Sequence, residues 1–528
     1  MKSTVRPHRG ALPCIRQSPG EKNHLASQLF RTKSIERLVQ ESNQSRWHLR
    51  RVLGPWSLAA LGIGAIIGTG IYILTGTAAA GEVFQISSWL KAPLIDVILH
   101  GSANVSTSGR SGAGPSITLS FVLVAIACGF AAFCYAELAS MIPLSGSAYT
   151  YTYATLGEFA AWMVGWVLIL EYAVTNMAVA VGFSAYWDSL LQSFGILLPR
   201  SLIQPPFIGS EPTGAIFNLP GFIIILLLTV LLVAGIRESA HANSAMVIVK
   251  ILAILIFIFS ATPHIDTQNW KPFFPNGWSG VLTGGSIIFF TYIGFDSVAT
   301  AAEESKNPQK DVPFGILISL VACAILYAVL ALVLTGIQPW QTLGNTAPVA
   351  KALDAIGLQN IQRWVTIGAL AGMLSSMLVF QLGQTRIWFA MSRDGLLPKA
   401  FSQVHPRFRT PHISTWVAGF VVAVPAGLLD VATLADISNI GTLFTFALIS
   451  IAVLILRKTQ PNRPRAFRVP WVPWVPLLSL FSCLLLMAGL PVETWIRFFV
   501  WLIIGLGIYF CYGYWRSKLH HAPERQGD

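Results

Sequence analysis

Apolar residues run along this chain in long unbroken stretches, and polar residues collect in the short gaps between them. A helix needs about 20 such residues to cross a bilayer, and twelve stretches approach or pass that length. They are predicted over 55–80, 116–142, 154–186, 218–236, 243–262, 280–301, 313–336, 362–388, 412–429, 433–456, 472–490 and 494–515. The pattern predicts an all-α membrane protein with one transmembrane domain over 53–515, an N-terminal tail over 1–52 and a C-terminal tail over 516–528.

Two segments interrupt their own pattern with glycine. Residues 62–71 read GIGAIIGTGI inside a stretch, Val52 to Gly81, that carries no charge, and residues 284–296 of the sixth segment read GGSIIFFTYIGFD. In lipid every backbone N–H and C=O must be satisfied internally, so irregular backbone is tolerated only when buried in protein or lining a wet cavity. Two readings follow for the first stretch. Gly64 and Gly68 form a GxxxG pair suited to close helix packing; alternatively, the helix is discontinuous and its freed amides and carbonyls bind a solute. The sixth segment favours the second reading. If the first ten segments are two five-helix repeats of opposite orientation, with two extra C-terminal helices, the first and sixth hold equivalent places. Broken helices in corresponding positions mark a transporter site. The repeat is inferred from position, not from internal identity.

Composition changes the picture in one direction. Of 528 residues 54% are hydrophobic and only 11% are charged, against about 25% charged in soluble chains, so lipid is the expected solvent. The net charge of +12 raises nucleic acid as a partner, but most of it lies outside the apolar segments, where it sets topology instead. The tail carries eleven lysines and arginines from Lys2 to Arg51 against Glu21, Glu36 and Glu41, and lacks a signal-peptide core. The connections after the eighth segment (Arg386, Arg393, Lys399, Arg407, Arg409) and the tenth (Arg457, Lys458, Arg463, Arg465, Arg468) are also basic. The positive-inside rule therefore predicts a multi-pass protein of the plasma (cell inner) membrane with both termini cytoplasmic. Within the tail, HLASQLFRTKSIERLVQES spaces Leu25, Leu29 and Leu38 at near-helical intervals, either as a helix on the inner membrane surface or as part of a disordered tail. Trp56, Trp278, Trp471, Trp474 and Trp495 fall near segment ends, as interfacial anchors or as core. Six cysteines show no CxxC or metal spacing, five of them reading as small buried hydrophobes. Ten histidines avoid the segment centres, so neither a metal site nor a cofactor is expected.

Longer motifs carry a resemblance. GIGAIIGTGIYILTG, CYAELASMIPLSGSAYTYTYATLGE, LILEYAV, FFTYIGFDSVATAAEESKNPQKDVP and GQTRIWFAMSRDGLLP resemble the amino acid, polyamine and organocation superfamily, most of all its cationic amino acid transporter branch and bacterial relatives. The resemblance covers about residues 28–515. It implies a LeuT-like fold of five plus five inverted helices and a small-molecule amino acid substrate. Amides of Gly68, Thr69 and Gly70, at the start of a half-helix, suit the substrate carboxylate. By resemblance, carbonyls of Ile67, Phe290, Thr291 and Ile293 hold its ammonium, and the Phe290 ring covers it. Simple packing is the alternative for Phe290.

Ionisable residues within the segments are the other informative set, since a charge at mid-bilayer costs about 2.5–3.5 kcal/mol on insertion scales. Glu171, Lys250 and Asp296 qualify, whereas Glu137, Glu303, Glu304 and Arg386 lie near segment ends and are expected to be solvated or anchoring. A buried amine that charges in only one conformational state can carry a proton, which makes Lys250 the candidate for proton coupling. The resemblance places it where sodium-coupled relatives hold their ion, with Ser375 or Ser376 and carbonyls near Ile63 and Ile66 as neighbours. A structural ion pair with Glu171 is the alternative. Asp296 and Glu171 suit arginine, lysine or ornithine, complete a proton path, or merely accept hydrogen bonds within the bundle, while similar bacterial proteins carry small neutral amino acids.

Residues 81–112 depart from the family pattern as an outer-loop insertion, in which SSWLKAPLIDVILHG is predicted to form a short interfacial helix. It reads as a tolerated insertion, a cover for the outer mouth or a docking element. Three function classes are compared: a proton-coupled amino acid permease or an uncoupled exchanger, a sensor on the same scaffold, and a membrane enzyme. The last lacks a paired nucleophile and base, metal spacing or a phosphate loop.

Overall fold

The structure is a computed structural model that describes residues 31–36, 38, 51–83, 88–101, 105, 109–208, 211–234, 236–406, 408 and 410–518. Cys14, Leu25, Leu29 and the tail histidines lie outside those residues.

The first apolar segment is helix α1 (Pro55–Ile66), a π-helical turn (Gly70–Leu74) and helix α2 (Thr75–Ala80), bent by 41° at the break. Strand β1 (Gly81–Val83) follows directly and pairs antiparallel with β2 (Gly109–Ser111), with the short helix α3 (Leu94–His100) between them. Helices α4 (Ile117–Met141), α5 (Ser147–Thr155) and α6 (Glu158–Ser193) come next, then a two-residue strand pair, β3 (Phe207–Ile208) and β4 (Glu211–Pro212). Helices α7 (Leu219–Ala234), α8 (Ile236–Ala261) and α9 (Gly277–Ile288) lead into two 3-10 stretches, Phe289–Tyr292 and Phe295–Glu304. The rest is α10 (Pro308–Ile337), α11 (Pro348–Ala355), α12 (Gln359–Arg393), α13 (His412–Ala426), α14 (Val431–Thr459), α15 (Trp474–Ala488) and α16 (Val492–Ile508).

Among the described residues eight helices are long and apolar enough to cross a membrane, and nine if the bent first pair counts as one span. α7, α13 and α15 are apolar but shorter. At 1.5 Å per residue, fifteen or so residues reach about 23 Å, short of the ~30 Å hydrocarbon core. Local chemistry explains two of the early stops: α13 ends at Gly427 just after Pro425, and α15 is confined between Pro473 and Gly489. The described residues are thus helical apart from two small strand pairs, which hydropathy did not announce.

Burial separates centre from periphery. The third and sixth segments have 89% and 94% of their apolar windows inside the protein, against 33% for Asn243–His264 and 28% for Val492–Arg516. α6 packs along α12 and α14, α4 along α10, and α8 along α12. Outward faces carry large apolar side chains such as Leu252, Phe259, Phe481 and Ile503, a surface suited to lipid rather than water. Trp56, Trp278, Trp471 and Trp474 are exposed, which excludes the core reading for them. Four cysteines are buried as expected, but Cys511 is exposed.

Three expectations for segment ends are corrected. Glu137 is buried and receives a forked pair of bonds from Arg457, Nε at 2.9 Å and Nη2 at 2.6 Å, with Arg465 Nε at 3.1 Å and the Val469 N–H at 2.7 Å. The connection after α14 folds back over the end of α4 and removes this carboxylate from solvent. Glu304 and Arg386 are buried as well and pair with each other. In the tail, Ile35 and Leu38 are buried in the protein core rather than facing lipid, because Lys33 anchors this stretch through Asp394 at 2.9 Å.

Candidate functional site

Helix α1 begins with Pro55 in its first turn, where a missing N–H costs nothing. It ends where Ile67 turns extended (φ −78°, ψ 93°), its N–H making the last helical bond, to Ile63 O at 3.1 Å. The carbonyls at such an end have no partner within the helix. Here four are met by side chains from other helices. Gly64 O accepts from Lys250 Nζ at 2.8 Å, with Ser375 Oγ also within reach at 3.2 Å. Ala65 O accepts from Ser376 Oγ at 2.8 Å, Ile66 O from Tyr327 OH at 2.9 Å, and Ile67 O from Lys250 Nζ at 3.0 Å. Beyond the break, Thr69 Oγ1 donates to Val179 O at 3.2 Å and Tyr186 OH to Tyr72 O at 2.8 Å.

The sixth segment comes apart at the same depth of the sequence pattern. After α9 the chain tightens into a 3-10 turn, Ile293 is extended, and Gly294 takes φ +128°, a conformation that favours glycine. Thr291 Oγ1 caps Ile288 O at 2.7 Å and Ser297 Oγ caps Gly294 O at 2.5 Å. The two breaks touch. A Cβ on Gly70 would lie 2.8 Å from Thr291 Cα, and one on Gly294 would lie 2.7 Å from Ala65 Cβ. A Cβ on Gly68 would meet Ser376 Oγ at 2.8 Å. Both readings of the glycines therefore apply: they mark interrupted helices and they permit close contact there. Phe290 is buried beside this junction in the core.

Lys250 is wholly buried on α8. Its ammonium has three acceptors, Gly64 O, Ile67 O and Ser375 Oγ, the last at 3.3 Å. Ser375 has one proton and two acceptors within reach, Asn243 Oδ1 at 2.8 Å and Gly64 O at 3.2 Å, and either choice leaves it a lone pair for the lysine. An ammonium has three donors and no acceptor, and this set matches it. The partners are carbonyls at the negative end of a helix dipole, not an acid. The Glu171 ion pair is corrected accordingly: among the described residues no ion pair joins Lys250 to Glu171, whose two carboxylate oxygens meet no hydrogen bond. The expected carbonyls near Ile63 and Ile66 are found one residue later, at Gly64 and Ile67. Ser375 is the neighbour of Lys250, while Ser376 serves Ala65.

Asp296 stands at the start of the half-helix after the sixth break, wholly buried; Oδ2 accepts from Tyr172 OH at 2.9 Å and Oδ1 has no partner among the described residues. Glu171, on α6 one residue before Tyr172, is close enough to feel the Asp296 charge and faces Gly441 of α14. Further along, Arg386 on α12 pairs with Glu304 and donates to Thr300 O at 3.4 Å, tying the end of this half-helix to the bundle.

Three site residues escaped sequence reasoning. Asn243 lies seven residues before Lys250 on the same helix face, a spacing that could have revealed it. Tyr327 and Tyr186 each place a polar tip inside an apolar run, but nothing local tells which carbonyl that tip reaches.

A family model described as amino acid permease matches residues 53–509. The branched-chain amino acid permease BcaP of Bacillus subtilis is 46% identical over 93% of this chain and 99% of its own length. The methylthioribose transporter of the same organism is 43% identical over 94% and 100%, and the vacuolar cationic amino acid transporter 4 of Arabidopsis thaliana 34% over 82% and 68%. All three are named as transporters, not enzymes.

Proposed function

The chain belongs to the amino acid permease family, and from that premise we propose that it is a proton-coupled amino acid permease working by alternating access. In this reading twelve spans, five plus five inverted and two more, lie in the plasma membrane with both termini cytoplasmic, 1–52 and 516–528 as tails and 81–112 on the outer side. The substrate carboxylate rests on the amides of Gly68, Thr69 and Gly70. Its ammonium rests on carbonyls of Ile67, Phe290, Thr291 and Ile293 under the Phe290 ring.

One observation carries the proposal: Lys250 Nζ is bound to Ile67 O at 3.0 Å, on the carbonyl that the substrate ammonium would share. A carbonyl has two lone pairs, so both cations fit, yet like charges this close oppose each other. Loss of the lysine proton when the site opens to the cytoplasm removes the clamp on the end of α1 and lets that half-helix move. Glu171 and Asp296 extend the polar path below the breaks.

Two side-chain classes have support. The unpartnered Asp296 Oδ1 and nearby Glu171 suit a basic side chain such as that of arginine, lysine or ornithine. The relation to a protein named as a branched-chain permease favours a neutral one. Proteoliposomes given a panel of labelled amino acids, with and without an imposed proton gradient, test the reading. A coupled permease accumulates one class only with the gradient; a sensor binds without accumulation, and an uncoupled exchanger ignores the gradient.

A further inference from the structure

The two ends of the insertion, Gly81–Val83 and Gly109–Ser111, form a ribbon tied to the half-helix beyond the first break. β1 continues α2, the half-helix beyond the first break, with no loop between them. Ala113 N–H bonds Ala78 O at 2.9 Å, and a Cβ on Gly112 would lie 2.3 Å from Ala79 O, so ribbon and half-helix form one body. In the ribbon Glu82 stands opposite Arg110.

Arg110 is buried and holds two acids at once. Its Nε donates to Glu82 Oε2 at 2.5 Å within the ribbon. Its Nη1 and Nη2 reach Asp436 Oδ1 at 3.2 Å and Oδ2 at 3.0 Å. This two-pronged contact has the geometry that fixes an arginine against a carboxylate. Asp436 lies in the second turn of α14, and one turn further Asn439 Nδ2 donates to Ser286 O on α9 at 2.9 Å. One side of the bundle is thus bound together across both broken segments: α2 with its ribbon, α14, and the half of the sixth segment before its break. Residues 92–94 are bonded to another part of the bundle, Leu94 N–H to Leu490 O at 3.0 Å and Val492 N–H to Ala92 O at 3.1 Å.

We propose that the β1–β2 ribbon is the latch of the outer gate, and that the Arg110–Asp436 pair must part before substrate can reach the broken helices from outside. It rests on the reading of this face as the outer one and of the chain as an alternating-access transporter. Apolar packing resists opening because the separated faces meet water badly. A buried ion pair differs: apart, each charge regains its hydration, so closure is reversible. Glu82 stays with Arg110 on the ribbon and keeps the guanidinium paired in the open state.

Hydrogen–deuterium exchange on the full chain in lipid nanodiscs, alongside uptake, tests this. Asp436→Asn is expected to raise amide exchange about tenfold or more in residues 75–83 and 281–288, with residues 390–400 on the opposite face unchanged. Unchanged exchange in Asp436→Asn overturns the latch. If that variant loses protection everywhere, Arg110→Lys decides: it keeps the charge and loses the fork, so local exchange confined to 75–83 and 281–288 supports the latch, and either global loss or wild-type protection makes the pair a fixed staple and sinks it. Local opening without gradient-driven uptake by the wild type leaves the latch standing and removes the coupled-permease reading instead.

Discussion

The ammonium of Lys250 sits 3.0 Å from the carbonyl oxygen of Ile67, at the residue where the first span stops being a helix. Among the described residues Lys250 makes no ion pair, and its partners are two carbonyls and a hydroxyl, an unusual arrangement for a buried cation, since lone charges there are costly. The broken helix resolves the difficulty, because its unpaired carbonyls need donors as much as the lysine needs acceptors. Each defect satisfies the other, and the proton on Lys250 becomes part of what holds α1 in place.

The contact between the two breaks gives the first prediction. Gly70→Ala sets a methyl 2.8 Å from Thr291 Cα, a backbone atom that cannot swing aside. A displacement of this order at the proposed substrate site costs about a hundredfold in rate, so uptake should fall to near background while the protein still reaches the membrane. Gly507→Ala, on α16 with nothing within 4 Å, is the control and should transport normally. Initial uptake rates normalised to protein check both.

Neighbouring serines should differ in kind. Ser375→Ala removes an acceptor from Lys250 and should impair gradient-driven uptake more than counterflow exchange. Ser376→Ala instead orphans Ala65 O, at about 1–3 kcal/mol, and should lower thermal stability and both transport modes together. Parallel uptake, exchange and melting measurements separate the two.

Among the described residues the buried Asp296 Oδ1 has no hydrogen-bond partner, and it should read side chains. Asp296→Asn is expected to reduce uptake of cationic substrates at least about tenfold more than neutral ones; Tyr172→Phe, which loses one hydrogen bond worth about 1 kcal/mol, should change either class less than tenfold. Equal losses across a labelled panel would remove the specificity role.

Hydropathy and glycine placement made much of this legible. Every predicted segment contains a helix, and both interruptions fall inside the quoted glycine stretches. What remained hidden was register and long-range folding. The lysine contacts were expected at Ile63 and Ile66 but occur at Gly64 and Ile67, because the last residue of a helix depends on its caps, and those caps come from α8, α10 and α12. Glu137 was read as a segment-end carboxylate because its partners, Arg457 and Arg465, are over 300 positions away in sequence. Likewise nothing local links Arg110 to Asp436, 326 positions on, until the ribbon brings them together.

Glu137 also supplies a prediction about folding. Replacing it with Ala leaves Arg465 buried without its acid and unties the connection that follows α14. Breaking a buried pair costs about 3–5 kcal/mol, with the lower end expected since Arg457 is partly exposed. Thermal unfolding in detergent should show a clear drop in Tm, with specific binding of substrate retained below the transition.

The most direct test of the account is transport by Lys250→Met in proteoliposomes with an acidic exterior. The account predicts that wild-type protein concentrates labelled amino acid only while the gradient lasts, and that the variant still exchanges internal for external label but no longer responds to the gradient. Gradient-driven accumulation by Lys250→Met equal to wild type would contradict it.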